Sequence, residues 1–231
     1  MPAQSEIAVK RESGQSARYV APFLVFLLYL AIGPKLPISA AWEGALRVGI
    51  MAVVCWICWP REIAFHPRYP AASIAIGAAV FALWIGPDLL IRGYRESFLF
   101  SNSVIGHLHS TLPAAALRDP WVLVWRTARA VLIVPVVEEL FWRGWLMRWL
   151  INADFQTVPL GAYSPLSFWI TAALFASEHG PYWDVGLLTG IIYNLWMIRS
   201  KSISSCILVH AVTNAALCAY VIAAAQWQYW Q

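Results

Sequence analysis

Three short stretches place ionisable side chains where the surrounding sequence is apolar. They are Glu138-Glu139-Leu140-Phe141-Trp142-Arg143, Phe175-Ala176-Ser177-Glu178-His179, and His210-Ala211-Val212-Thr213-Asn214. A charged side chain at mid-bilayer costs about 2.5–3.5 kcal/mol even on lenient insertion scales, so each stretch is a functional candidate by default. On a helix, Glu138 and Glu139 point about 100° apart. Arg143 follows Glu139 by four residues, the order that favours an ion pair. One glutamate is thereby neutralised, and Glu138 is left free to act as a general base. His179 can be a base, a donor or a metal ligand, and Phe175, one helical turn earlier, can pack on its ring. His210 and Asn214 share a helix face that points into a bundle. A base within reach of a water, with donors aimed where negative charge develops, is what amide hydrolysis needs.

Each stretch also has a plainer use. Polar side chains hold membrane helices together, and His210 with Asn214 suits that role as well as chemistry; His179 suits a helix end that touches water. The set of Glu138, Glu139 and Arg143 is harder to assign to packing, which does not require two buried carboxylates and one cation.

The elements that must position these residues follow from composition. The chain has 231 residues, 60% of them hydrophobic and 12% charged, against about 45–50% and 25% in an ordinary soluble domain. The apolar residues form runs of the length that crosses a bilayer, about 20 residues. The expected fold is therefore all-α, a polytopic transmembrane helical bundle. Residues 1–18 are polar and read as a disordered cytoplasmic arm, and residues 19–231 read as the bundle, with the candidate site in 138–214. Spans are expected at Tyr19 to Ile32, Ala40 to Trp59, Ala71 to Ile91, Pro165 to Glu178, Tyr182 to Ile198 and Ile203 to Ala225. Trp121 to Ile151 is too long for one simple span and carries Pro135, so it is one kinked helix or two pieces. The total is seven spans, with eight as the alternative. Between Arg92 and Pro120 the chain is more polar, and an interfacial helix is expected there.

With the N-terminus inside, Lys10, Arg11, Arg18, Arg61, Arg68, Arg148, Arg199 and Lys201 lie on the cytoplasmic side. Lys35, Arg92, Arg95 and Arg118 lie opposite, as the positive-inside rule asks. The net charge of +4 is scattered between apolar segments, which excludes a nucleic-acid surface. Cys55, Cys58, Cys206 and Cys218 all fall in apolar stretches and imply no disulfide framework; Cys55 and Cys58 read as packing cysteines despite their C-x-x-C spacing. Gly186-x-x-x-Gly190 predicts a close helix contact. His107-x-His109 reads as part of an interfacial loop, Asp88 as a snorkelling or capping residue, and the tail Gln226-Trp227-Gln228-Tyr229-Trp230-Gln231 as an aromatic anchor at the membrane interface.

The order E-E-x-x-x-R (Glu138, Glu139, Arg143), F-x-x-x-H (Phe175, His179) and H-x-x-x-N (His210, Asn214) on successive late helices resembles the CAAX-protease and bacteriocin-processing (Abi) family of intramembrane proteases. The resemblance covers roughly the last 110 residues. The final stretch is similar to bacterial CAAX prenyl protease-related proteins that accompany exosortase sorting systems. This implies a multi-pass enzyme of the bacterial inner membrane, whose partners are the lipid bilayer and a membrane-associated protein substrate. That substrate would be an exported protein with a C-terminal sorting signal rather than a prenylated one, and nucleic acid would play no part.

By the resemblance, Glu138 and His179 activate the attacking water, His210 and Asn214 donate to the oxyanion, and Glu139 with Arg143 fix the helix and tune Glu138. No cofactor is expected. The zinc alternative would use Glu138, His179 and His210 as ligands and Glu139 as base. Two other readings are a transporter or proton relay, against which stands the lack of repeat symmetry, and a non-catalytic binding or immunity protein.

Overall fold

A computed structural model describes residues 2–108, 110 and 112–230, with side chains from Gly14 onward. Among the described residues seven helices form the bundle. They are α1 (Pro2–Ile32), α2 (Ala40–Cys58), α3 (Pro70–Leu90), α4 (Pro120–Trp149), α5 (Pro165–Ser177), α6 (Trp183–Ser200) and α7 (Ile203–Ala224). Among the described residues the only strand-like pairing is an isolated bridge between Asn102 and Gly106.

Helix starts follow local chemistry. Ser39, Asp119, Ser164 and Ser202 each cap a helix by accepting a backbone N–H of its first turn, and Pro70, Pro120 and Pro165 stand in the first turn, where a missing N–H is harmless. Among the described residues five helices are long and apolar enough to cross a membrane: Gly14–Lys35 within and just beyond α1, then α2, α3, α4 and α7. The protein is thus a multi-pass membrane bundle. The seven expected spans correspond to seven helices, but α5 has 13 residues. At 1.5 Å per residue it covers about 20 Å, short of a hydrocarbon core of about 30 Å.

The outward surface is apolar. Trp56 is 81% exposed and Leu90 85% exposed, as lipid-facing side chains are. The interior is held by two larger apolar clusters, one around Phe23, Val137, Trp142, Phe175 and Tyr193, the other around Tyr19, Leu140, Met147, Phe168 and Ile203. α3 packs along α7, α5 along α6, and α4 contacts α1, α2 and α7. Gly77 lets α3 approach α7, because a Cβ there would lie 2.7 Å from the Val209 carbonyl oxygen. Gly190 does the same for α5 and α6, where a Cβ would lie 3.1 Å from Ala172, in agreement with the expected Gly-x-x-x-Gly contact.

Four expectations are corrected. The backbone is helical from Pro2, where a disordered arm was expected; Glu, Lys, Arg, Gln and Ala favour helix, and no proline follows before Pro22. Among the described residues between α3 and α4 the only helical pieces are single turns, Tyr94–Glu96 and Ala116–Arg118, and there is no interfacial helix. Asp88 neither snorkels nor caps; it pairs with Arg95 Nε at 2.8 Å and accepts from the Tyr229 hydroxyl at 2.7 Å. The tail folds back on the bundle rather than facing lipid. Trp230 is buried against Cys218 and Val221, because the indole gains more by covering that gap than by lying at an interface. Within the loop, His107 Nδ1 lies 2.7 Å from Ser101 Oγ, while His109 lies outside the described residues. All four cysteines are free thiols.

Candidate active site

α4 is one continuous helix with two π-helical stretches, Arg129–Ile133 and Leu140–Leu146, on either side of Pro135 and the glutamates. The first has a local cause. Val134 N–H bonds the Arg129 carbonyl, so the next bond in register would join residue 135 to Ala130, and Pro135 has no N–H. The orphaned Ala130 carbonyl accepts instead from Asn214 Nδ2 at 2.8 Å. A proline in one helix thereby fixes a polar side chain on another. Because the carbonyl only accepts, the amide nitrogen of Asn214 faces it, and the second N–H of that amide is left for other use.

Glu139 and Arg143 are fully buried and paired at 3.1 Å, as their spacing predicts. Arg143 is held on every side. Its Nε donates to Asn194 Oδ1 at 3.0 Å, Asn194 Nδ2 donates to the Phe168 carbonyl at 2.9 Å, and the guanidinium lies 4.6 Å from the Phe175 ring centroid. The same Glu139 Oε1 accepts from His210 Nδ1 at 3.0 Å. A carboxylate only accepts, so Nδ1 carries the proton and Nε2 is the free nitrogen of His210.

His179 follows the same logic. Its Nδ1 lies 2.7 Å from the Phe175 carbonyl oxygen, which also only accepts, so Nε2 is the free nitrogen. The ring sits between Phe175 and Trp84, with centroids at 4.8 and 5.3 Å. Gly186 makes room beneath it, since a Cβ there would lie 3.2 Å from the imidazole.

Glu138, His179, His210 and Asn214 all line one cavity of about 240 Å³. Glu138 Oε2 is buried there without a hydrogen-bond partner. Glu139 and Arg143 do not line it; behind it, Arg143 holds Glu139 and Glu139 holds His210. Among the described residues, no three His, Cys, Asp or Glu side chains gather closely enough to hold a metal ion, and Glu139, the base of the zinc alternative, is engaged by His210 and Arg143.

Sequence reasoning missed Asn194, Tyr193, Trp84 and two cavity-lining cations, Arg126 and Arg129. Asn194 was within reach, since Gly186, Gly190 and Asn194 share one stripe at four-residue spacing. Arg126 and Arg129 lie in the apolar run of α4 and meet the test of cost that singled out the glutamates. Trp84 and Tyr193 carry no such signal, because aromatics are common in every span.

Residues 120–216 match the family model of type II CAAX prenyl endopeptidases, Rce1-like. The matched segment carries Glu138, Glu139, Arg143, His179, His210 and Asn214. No curated protein and no solved structure matches the chain. The part of the chain that builds most of the cavity is thus similar to a family of CAAX prenyl endopeptidases.

Proposed function

We propose that the protein is an intramembrane endopeptidase of the bacterial inner membrane. It hydrolyses a peptide bond near the C-terminus of a membrane-associated protein, and its substrates are exported proteins that carry a C-terminal sorting signal. The observation that carries this reading is the cavity itself. In it a buried carboxylate oxygen of Glu138 without a partner shares a lining with two imidazoles whose Nδ1 atoms are already committed and with an amide that retains a donor.

Water enters between Glu138 and His179. Glu138 takes its proton, helped by the free Nε2 of His179, as the water oxygen attacks the scissile carbonyl carbon. Negative charge collects on the former carbonyl oxygen, where the second N–H of Asn214 and an imidazolium His210 donate through their free positions. His210 can donate from Nε2 only when it also carries that proton, and the Glu139 carboxylate on Nδ1 stabilises the resulting charge. The C–N bond then breaks, the proton on Glu138 passes to the leaving nitrogen, and a new carboxylate and a new amine result. No metal or cofactor takes part.

Product analysis in H₂¹⁸O tests this. Purified protein in proteoliposomes is incubated with membrane-anchored peptides, with and without chelator. One ¹⁸O in the new carboxyl group, unaffected by chelator, is the expected result. Loss of cleavage to chelator with recovery on added zinc would replace it with the metal reading. Ion flux without any cleavage would favour a transporter.

A further inference from the structure

A separate cavity of about 490 Å³ opens at the far end of α4, lined by Gln15, Arg18, Arg61, Glu62, Arg148 and Gln156. All six side chains are polar or charged. They come from the start of the α1 span, the turn after α2, the last turn of α4 and the single turn Phe155–Thr157, so three span ends meet there. Its three arginines all belong to the side that the charge distribution marks as cytoplasmic. The positive-inside rule accounts for that side but not for the convergence of three guanidinium groups on one cavity. Arg148 is only 8% exposed. It donates from Nε to the Val158 carbonyl at 2.8 Å, from Nη1 to that of Gly144 at 3.1 Å and from Nη2 to that of Gln156 at 3.4 Å. These acceptors are uncharged, and two of the guanidinium's five N–H groups remain. Arg18 Nη1 donates to the Trp59 carbonyl at 3.2 Å. Arg61 is exposed, and among the described residues it has no hydrogen bond. No ion pair among the described residues contains Arg18, Arg61 or Arg148. Glu62, the one carboxylate in the lining, accepts instead from the Tyr19 hydroxyl at 2.8 Å.

We infer that this cavity binds the phosphate group of an anionic phospholipid and that the bound headgroup ties together the ends of α1, α2 and α4. The inference does not depend on the proteolytic reading. Guanidinium forks match phosphate oxygens, and a phosphate has enough oxygens to be divided among arginines that arrive from three helices. The cavity lies at helix ends, the level at which headgroups sit, and basic pockets between spans on the cytoplasmic side are suited to anionic headgroups. The acyl chains have a place as well. Trp56 and Ile57, five and four residues before Arg61 at the end of α2, are 81% and 64% exposed and belong to the apolar outer surface. A phosphate held beside Arg61 leaves its hydrocarbon next to that surface. Free inorganic phosphate shares the headgroup's charge but gains nothing from it.

The test titrates the full chain in detergent with phosphatidylglycerol, with phosphatidylcholine and with inorganic phosphate, and follows binding by native mass spectrometry and by thermal unfolding. Phosphatidylglycerol is expected to bind and to raise the unfolding temperature, while phosphatidylcholine and millimolar inorganic phosphate do neither. Arg61→Gln is expected to raise the Kd for phosphatidylglycerol about fivefold, the usual worth of one arginine at an anionic headgroup, and Arg18→Gln with Arg61→Gln to raise it further. Arg61→Lys, which keeps the charge but not the fork, retains part of the affinity. Arg199→Gln removes an exposed arginine assigned to the same side but outside the cavity, and it leaves the Kd unchanged. Arg148 stays intact in every variant, because its three bonds hold the end of α4. Equal binding of the two lipids would overturn the site. So would equal losses from Arg61→Gln and Arg199→Gln, which would mark a diffuse attraction to the surface. Stabilisation by inorganic phosphate as strong as that by phosphatidylglycerol would overturn the lipid as its ligand. If the double variant does not fold, Arg61→Gln decides alone, since its side chain is exposed and has no bond to a described residue to lose.

Discussion

Glu138 and Glu139 are adjacent and chemically identical, but their surroundings differ. Glu139 lies behind the cavity with its Oε1 shared by Arg143 and His210, while Glu138 lines the cavity and its Oε2 has no hydrogen-bond partner there. The spacing of Glu139 and Arg143 made their pair legible in the sequence, because four-residue neighbours on one helix always meet. The bond from His210 to Glu139 was not legible, since it joins residues 71 positions apart and depends on how α7 is rotated against α4. A prediction follows for the other imidazole. If His179 helps to take the proton of the water, it must be neutral at Nε2, so kcat/KM falls as pH drops and protonates it, and that acidic fall is expected to be lost in His179→Gln. A kcat/KM that does not fall at acidic pH would reject the base role of His179.

At the scale of elements, most helices were readable. Apolar run lengths placed α2, α3, α5, α6 and α7 within a residue or two of their observed ends. Pro135 announced a disturbance in α4 but not its form. The observed solution widens the helix ahead of the proline and hands the Ala130 carbonyl to Asn214, a partner that local sequence cannot name. If that exchange positions Asn214, then Pro135→Ala, which restores an N–H to the helix, competes with the amide for Ala130. Thermal stability is expected to change by no more than about 1 kcal/mol, one hydrogen bond being exchanged for another. Cleavage is expected to fall at least about tenfold, within the range for loss of one oxyanion donor. Unchanged cleavage would show that the position of Asn214 does not depend on Pro135.

For the whole molecule, the polar segment between α3 and α4 is a clamp and not a surface helix. Arg95 joins Asp88 at the end of α3 to Asp184 at the start of α6, both at 2.8 Å, and donates to the Pro181 carbonyl at 2.7 Å, two residues from His179. Tyr182 stacks on the same guanidinium at 4.2 Å, and Tyr229 ties the tail to Asp88. Sequence offered no hint of this hub, because its members are spread from residue 88 to residue 229 and each resembles an interfacial residue when read alone. Arg95→Gln leaves two carboxylates without their cation, and a loss of about 3–5 kcal/mol in stability is expected from thermal unfolding in detergent. The companion variant Tyr229→Phe removes one hydrogen bond and is expected to lose only about 0.5–1.5 kcal/mol. A small effect from Arg95→Gln would mean that the clamp does not hold the ends of α3 and α6 together.

The most direct measurement is the cleavage rate of a membrane-anchored peptide by Glu138→Gln, made alongside its thermal unfolding. Because Glu138 Oε2 has no partner to lose, the variant is expected to unfold at the wild-type temperature or above it. Its rate is expected to fall at least about 100-fold, as removal of a general base requires. Wild-type cleavage by the folded variant would contradict the assignment of Glu138 as the base, and with it the reading of the cavity as a hydrolytic site.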